Sequence, residues 1–320
     1  MCNRTGWFSV ADNYNIHCCV TEAADIKYKT YVSIIFASSI VLLVLFSVAV
    51  VGNALILAAI WKRTFQRTWL HVLLSGLAFS DFCIGLIVQP FIALIFLLFL
   101  DKSGVFDAQK VLIADMVTYV GFMSATFFIT VELILITLLS IERWLHMSRR
   151  SLMTPRRRCL IVALLLVVPA LFVAGHYLSL ERLHVALTIV SVVVMLLCYL
   201  ITTLAYYRGT QLYRIIRQHQ QQVQGNQNFG QPAINLAKYK RSIKSILYIF
   251  ALFSVCLIPF VAGIASILSN RENLSCLEAS AVFYVSFSLC FLSPSLNPAV
   301  YLWRMNEVRE GVKSLFCASD

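Results

Sequence analysis

Seven stretches of this chain are each long and apolar enough to cross a bilayer, and they limit its fold more than any other feature. They run from Tyr31 to Trp61, Thr68 to Leu100, Val111 to Ile141, Cys159 to Tyr177, Leu183 to Tyr207, Ser245 to Ser269 and Leu277 to Trp303. A spanning helix needs about 20 mostly apolar residues. The chain is 60% hydrophobic and 13% charged, and its mean hydropathy is +0.81. Soluble domains average about 45–50% apolar and about 25% charged. The expected fold is therefore all-α and membrane-embedded. The net charge of +11 would suit a nucleic-acid binder, but that hydropathy would not, so no nucleic-acid partner is expected.

Segments four and five are separated only by His176 to Arg182. Read as one broken helix, they would leave six spans and invert the C-terminus. Basic residues decide between the two counts, because Lys and Arg collect in cytoplasmic loops. With seven spans and an outside N-terminus, the inside segments carry Lys62, Arg63, Arg67; Arg143, Arg149, Arg150, Arg156, Arg157, Arg158; Arg208, Arg214, Arg217, Lys238, Lys240, Arg241, Lys244; and Arg304, Arg309, Lys313. Only 7 of the 26 Lys and Arg remain outside. Six spans would strand one of the basic regions flanking segments four and five on the wrong side.

This topology divides the chain into a polar tail over residues 1–30, a seven-helix domain over 31–303 and a cytoplasmic tail over 304–320. The tail has no basic-then-apolar leader, so the first apolar segment is expected to act as its own insertion signal. The sequons at Asn3 and Asn273 fall outside, as glycosylation requires. Cys276 is expected to pair with the tail, and the adjacency of Cys18 and Cys19 leaves the partner open. No CxxC pair suggests zinc or redox chemistry. The run from Gln218 to Asn228 is polar and uncharged and reads as a mobile linker. After Trp303, Val308, Val312, Leu315 and Phe316 share one face of an amphipathic helix suited to the cytoplasmic leaflet. Cys317 follows it, either as a palmitoylation site or as a plain surface thiol.

Polar groups inside the apolar segments mark function, because a mid-membrane charge costs about 2.5–3.5 kcal/mol on insertion scales. Asp81 and Glu132 qualify, with the amides of Asn53 and Asn297 and the hydroxyl of Ser293 at comparable depth. The expectation is one polar cavity holding Na+ or a proton, since two neighbouring carboxylates cannot both keep their charges without a cation. The alternative is a network closed by internal hydrogen bonds. Pro298, beside Asn297, removes a backbone hydrogen bond and is expected to act as a hinge. Pro259 is expected to kink segment six above Phe253. Glu142 can neutralise Arg143 until a partner displaces it, or the two can form an ordinary membrane-edge pair.

With Gly52-Asn53, Leu77-Ala78 with Asp81, Glu142-Arg143-Trp144, Phe253 with Cys256 and Pro259, and Asn297-Pro298 with Tyr301 in this order, the chain resembles a rhodopsin-like (class A) G protein-coupled receptor. The resemblance implies a plasma-membrane receptor, not an enzyme, whose partners are a heterotrimeric G protein, membrane lipids and a ligand. It implies no cofactor beyond a bound Na+. Asp81, Asn53, Ser293 and Asn297 match the sodium network, and Glu132 replaces a small hydroxyl there. Glu142, Arg143, Trp144, Tyr199, Lys240 and Lys244 match the coupling region, with Trp144 in place of a Tyr. Phe253, Leu257, Pro259, Asn297, Pro298 and Tyr301 match the activation switch, with Leu257 in place of a Trp. Thr118 stands where a bridging Cys is usual, so that bridge is expected to be absent.

Ala125 occupies the amine-receptor aspartate position, and Phe291 occupies the retinal-lysine position. Neither a biogenic amine nor retinal is expected. The implied pocket wall comprises Ala125, Thr126, Ile129, Leu257, Phe260, Val261, Ile264, Phe287 and Phe291. Such a wall suits a hydrophobic ligand, or it simply packs on itself. Two rivals remain at this stage: an ion- or proton-coupled carrier using Asp81 and Glu132, and a receptor-like protein that no longer couples.

Overall fold

The computed structural model describes residues 25–62, 69–98, 108–147, 181–224, 236–269 and 276–316, together with part of 160–173. Among them there is no strand. The helices are α1 (Asp25–Lys62), α2 (Trp69–Cys83), a π-helical turn (Ile84–Val88), α3 (Gln89–Leu98), α4 (Ala108–Met147), α5 (Glu181–Gln224), α6 (Leu236–Ser269), α7 (Cys276–Cys290), α8 (Leu292–Arg304) and α9 (Asn306–Phe316). Six helical stretches among the described residues are long and apolar enough to cross a membrane. The fourth expected segment is only partly described, and its described residues, between 160 and 173, are helical.

Helices dominate because lipid cannot hydrate an open backbone. The hydroxyls inside the spans follow the same rule by bonding to carbonyls one turn back. Ser39 donates to Ile35 at 2.9 Å, Thr137 to Leu133 at 2.8 Å and Ser140 to Ile136 at 2.9 Å. Large apolar side chains such as Phe36, Val44, Val51, Leu196 and Val255 are exposed. On a spanning helix that face meets lipid.

Several features add to or depart from the sequence reading. Segment two is not one uniform helix, because a π-helical turn interrupts it. Segment seven breaks at Phe291, where the chain makes a turn. Pro298, the expected hinge, lies within α8. Finally, α5 continues to Gln224, so the first part of the expected linker is helical; residues 225–235 lie outside the described residues. Pro259 sits within a continuous α6.

The chain forms two compact units. The first comprises Met1–Val51, Phe82–Ala125 and Leu252–Leu296, and the second Gly52–Asp81, Thr126–Ala251 and Asn297–Asp320. In the second unit, α8 approaches α1 at Gly52, where an added Cβ would lie 2.8 Å from Cγ and 3.0 Å from Cβ of Pro298. Close helix approach in membranes favours such small residues.

The corner into α9 is hydrogen-bonded, with Met305 N–H donating to Tyr301 O and Arg309 N–H to Met305 O. The helix is fastened to the start of α2 by His71 Nε2 and Glu307 Oε2 at 3.2 Å. Lys62 Nζ on α1 donates to Ser314 O at 3.1 Å. Val308 is buried, whereas Phe316 is 72% exposed, as suits a residue that anchors in the leaflet.

The Pro298 ring cannot move aside easily. Gly52→Val should therefore lower stability by about 1–3 kcal/mol, the usual cost of overpacking. Gly76→Ala should cost much less, because its nearest neighbour, Leu135 Cδ2, is 3.4 Å away. Thermal unfolding of the purified protein in detergent checks both, and equal losses would rule out the tight contact.

Candidate functional site

The second unit encloses a polar centre built by α1, α2, α4 and α8. Asp81 and Asn297 have no exposed surface, and Glu132 and Asn53 are equally buried. The Asn297 amide lies between the two acids. Its Nδ2 donates to Asp81 Oδ2 at 2.9 Å and to Glu132 Oε1 at 3.4 Å. One NH2 group carries two hydrogens, so a single amide serves two carboxylates.

Acceptors outnumber protein donors here. Asp81 Oδ1 and Asn297 Oδ1 meet no donor among the described residues. The Tyr301 hydroxyl is likewise buried without a hydrogen-bond partner among the described residues. Buried acceptors need a proton, a cation or water. The donor set is all oxygen, which suits a hard cation rather than a transition metal. No group of three or more His, Cys, Asp and Glu that could hold a metal occurs among the described residues. Ser293 is also buried, but it belongs to the first unit.

At the Arg143 end of α4, a small cleft opens between α4, α5 and α6. Ser140, Arg143, Trp144, Ala205, Tyr206 and Ile243 are among its lining residues. Glu142 beside it is buried, and Lys244 is exposed. Tyr199, matched to the coupling region, packs its ring on Phe250 with centroids 5.2 Å apart. Tyr206, which sequence reasoning passed over, lines the cavity instead. The two tyrosines are seven residues apart and share a helical face, so periodicity would have offered either.

The first unit gathers phenylalanines. Phe122, Phe260, Phe283, Phe287 and Phe291 pack in one cluster with ring centroids 5.0–5.9 Å apart. Three of them were expected as pocket wall; Phe122 and Phe283 were not. Ala125 and Leu257 are buried and Ile264 half-buried, but Val261 is 57% exposed. Thr126 and Ile129 belong to the second unit. Asn3, Cys18, Cys19, Asn273 and Cys317 lie outside the described residues, as do the side chains of Lys240 and Cys276.

The family model for 7 transmembrane receptors (rhodopsin family) matches residues 52–301. The chain belongs to that family. It is thus a multi-pass membrane receptor with the seven-helix fold, and the family is one of receptors rather than enzymes. The receptor is 22% identical to a high-affinity lysophosphatidic acid receptor of Xenopus laevis, over 91% of this chain and 84% of that protein. It is 25% identical to the probable G-protein coupled receptor 45 of Homo sapiens, over 85% of this chain and 80% of that one. A QRFP-like peptide receptor of Branchiostoma floridae is 23% identical over 81% of this chain and 71% of its own length. Squid rhodopsin shares the receptor's fold, with a TM-score of 0.69 at 16% identity, covering 89% of this chain and 86% of that one.

If one amide holds both acids, Asn297→Ala should destabilise the purified receptor by about 1.5–3 kcal/mol, the scale of a hydrogen bond to a charged group. Adding Glu132→Gln should recover part of that loss, because one of the two facing charges is removed. Thermal unfolding of the single and double variants forms the test. Strictly additive losses would show that the three groups act independently.

Proposed function

We propose that this receptor transmits ligand occupancy on its extracellular side to nucleotide exchange on a heterotrimeric G protein. In this reading the N-terminus is extracellular, the C-terminus is cytoplasmic, and the protein works at the plasma membrane. The single observation that carries the coupling is the cavity lined by Arg143, Trp144 and Tyr206 between α4, α5 and α6. It offers a cationic side chain and an apolar wall to a partner segment, with Glu142 beside Arg143 in the sequence; the exposed Lys244 would add a second cation. Movement of α6 and of the seventh span would open or close it. Ligand binding shifts such states only through unequal affinity for them.

Asp81, Glu132 and Asn297 would act as an ion- or proton-controlled switch, with Asn53 beside them and Tyr301 on the same helix as Asn297. A bound Na+ would be held by the carboxylate and amide oxygens and would neutralise the paired acids. A proton on one acid would do the same. Glu132 makes the site doubly acidic, so its charge state bears directly on whether α8 is held near α2 and α4.

For the ligand, the phenylalanine cluster favours an apolar molecule. One relative is named for a lysophospholipid and another for a peptide, and the aromatic wall matches the chain of the former better. The second reading follows from the same cluster: five rings that already pack on one another make a receptor that signals without a ligand.

Arg143→Ala should abolish ligand-free G-protein activation in transfected cells at matched surface expression, measured across all G-protein families. A basal signal that survives would remove Arg143 from the coupling surface. In the same assay, Asp81→Asn and Glu132→Gln should each weaken the dependence of signalling on Na+ and pH. Two variants with wild-type dependence would leave the site a purely structural network. Binding of lysophosphatidic acid in a thermal-shift assay, against a neutral lipid and a polar peptide, tests the ligand class. Stabilisation by the peptide alone would eliminate the lipid reading.

A further inference from the structure

The π-helical turn at Ile84–Val88 has a consequence. Its closing bond runs from Gln89 N–H to Ile84 O, five residues back. A wider turn rotates all later residues of the helix by roughly one residue's worth, about 100°, relative to an unbroken α-helix. Gln89, the first residue after the turn, is completely buried. A buried glutamine in a span is costly unless its amide is used.

The Gln89 amide is used at the break in the seventh span. Gln89 Nε2 donates to Phe291 O at 3.3 Å and reaches Ser295 Oγ at 3.5 Å. Ser295 Oγ is in turn 2.9 Å from Phe291 O and 3.1 Å from Leu45 O on α1. Phe291 N–H bonds to Ser288 O, three residues back. The turn at Phe291 interrupts the regular helical ladder, and the side chains of Gln89 and Ser295 complete its bonding. All these residues belong to the first unit.

Phe291 also has a ring, and that ring packs edge-on against Phe287 at 5.1 Å in the phenylalanine cluster. One residue therefore joins the aromatic cluster by its side chain and the hydrogen-bonded break by its carbonyl. We propose that Phe291 is the pivot of the seventh span, and that Gln89 is the positioning residue that holds it. Displacing the Phe291 ring strains the Gln89 bond, and the released pivot lets α8, which carries Asn297 and Tyr301, turn. The hinge of this receptor then lies at Phe291, six residues before Asn297-Pro298. The signalling part of this proposal rests on the receptor reading above; the mechanical part does not.

Hydrogen–deuterium exchange of the full-length receptor in lipid nanodiscs tests it. In the unaltered protein, residues 288–295 should exchange faster than residues 299–303. Slower exchange at 288–295 would overturn the pivot without any variant. Gln89→Met keeps the length of the side chain and removes the donor. It should speed exchange at 288–295 about fivefold or more while leaving 306–316 unchanged. It should also shift ligand-free G-protein activation at least threefold at matched surface expression. Unchanged exchange at 288–295, or acceleration spread equally over all spans, would overturn the positioning role. So would a loosened break with unaltered signalling in cells where the parent receptor signals. A parent receptor with no signal in any pathway would count against the receptor reading alone, and exchange would still decide the pivot.

Discussion

A single amide, Asn297 Nδ2, stands between two buried carboxylates and ties α8 to both α2 and α4. Asp81 on α2 and Glu132 on α4 are neighbours at a depth where neither can be hydrated by bulk water. Their mutual repulsion is offset by the shared donor. Without that donor the two charged groups would have to separate or be neutralised, because uncompensated buried charge costs several kcal/mol per ion. α8 is therefore held in its register by a polar contact as much as by packing. The Gly52–Pro298 approach adds a steric constraint one residue further along.

The same helix has its irregularity at the other end. Pro298 has no N–H to donate, yet α8 passes through it unbroken. The break falls at Phe291, where two side chains, Gln89 and Ser295, supply hydrogen bonds to the displaced carbonyl. Membrane helices tolerate irregular backbone only where neighbours repair it. Pro294 lacks the N–H that would bond the Cys290 carbonyl one turn back, so the ladder is opened beside Phe291 by a different proline. The π-helical turn in segment two is the device that brings Gln89 to the Phe291 carbonyl.

Much of the fold was legible because burial in lipid imposes simple rules. Length and hydropathy located the spans. Rarity of charge inside lipid singled out Asp81, Glu132, Asn53 and Asn297, and three of these four meet through one amide. What escaped were features that depend on helix rotation and neighbours. Gln89 looked like an ordinary residue before Pro90, and nothing in its local sequence announces a π turn. Phe122 and Phe283 were lost among 22 phenylalanines, since an aromatic residue in an apolar run gives no sign of which rings it will meet. Tyr206 and Tyr199 lie on one face of α5, and only packing assigned Tyr206 to the cavity and Tyr199 to Phe250.

By itself, the sequence determined the class of solvent, the number of spans, the amphipathic tail and the acids that cannot be solvated. Each of these follows from the cost of placing a group in hydrocarbon, which is a property of the residue and its immediate neighbours along the chain. The tertiary structure alone decided which donor reaches both acids, where the seventh span breaks, and which rings fill the first unit. Those are matters of distance and rotation between segments far apart in sequence, and no local cost of transfer contains them.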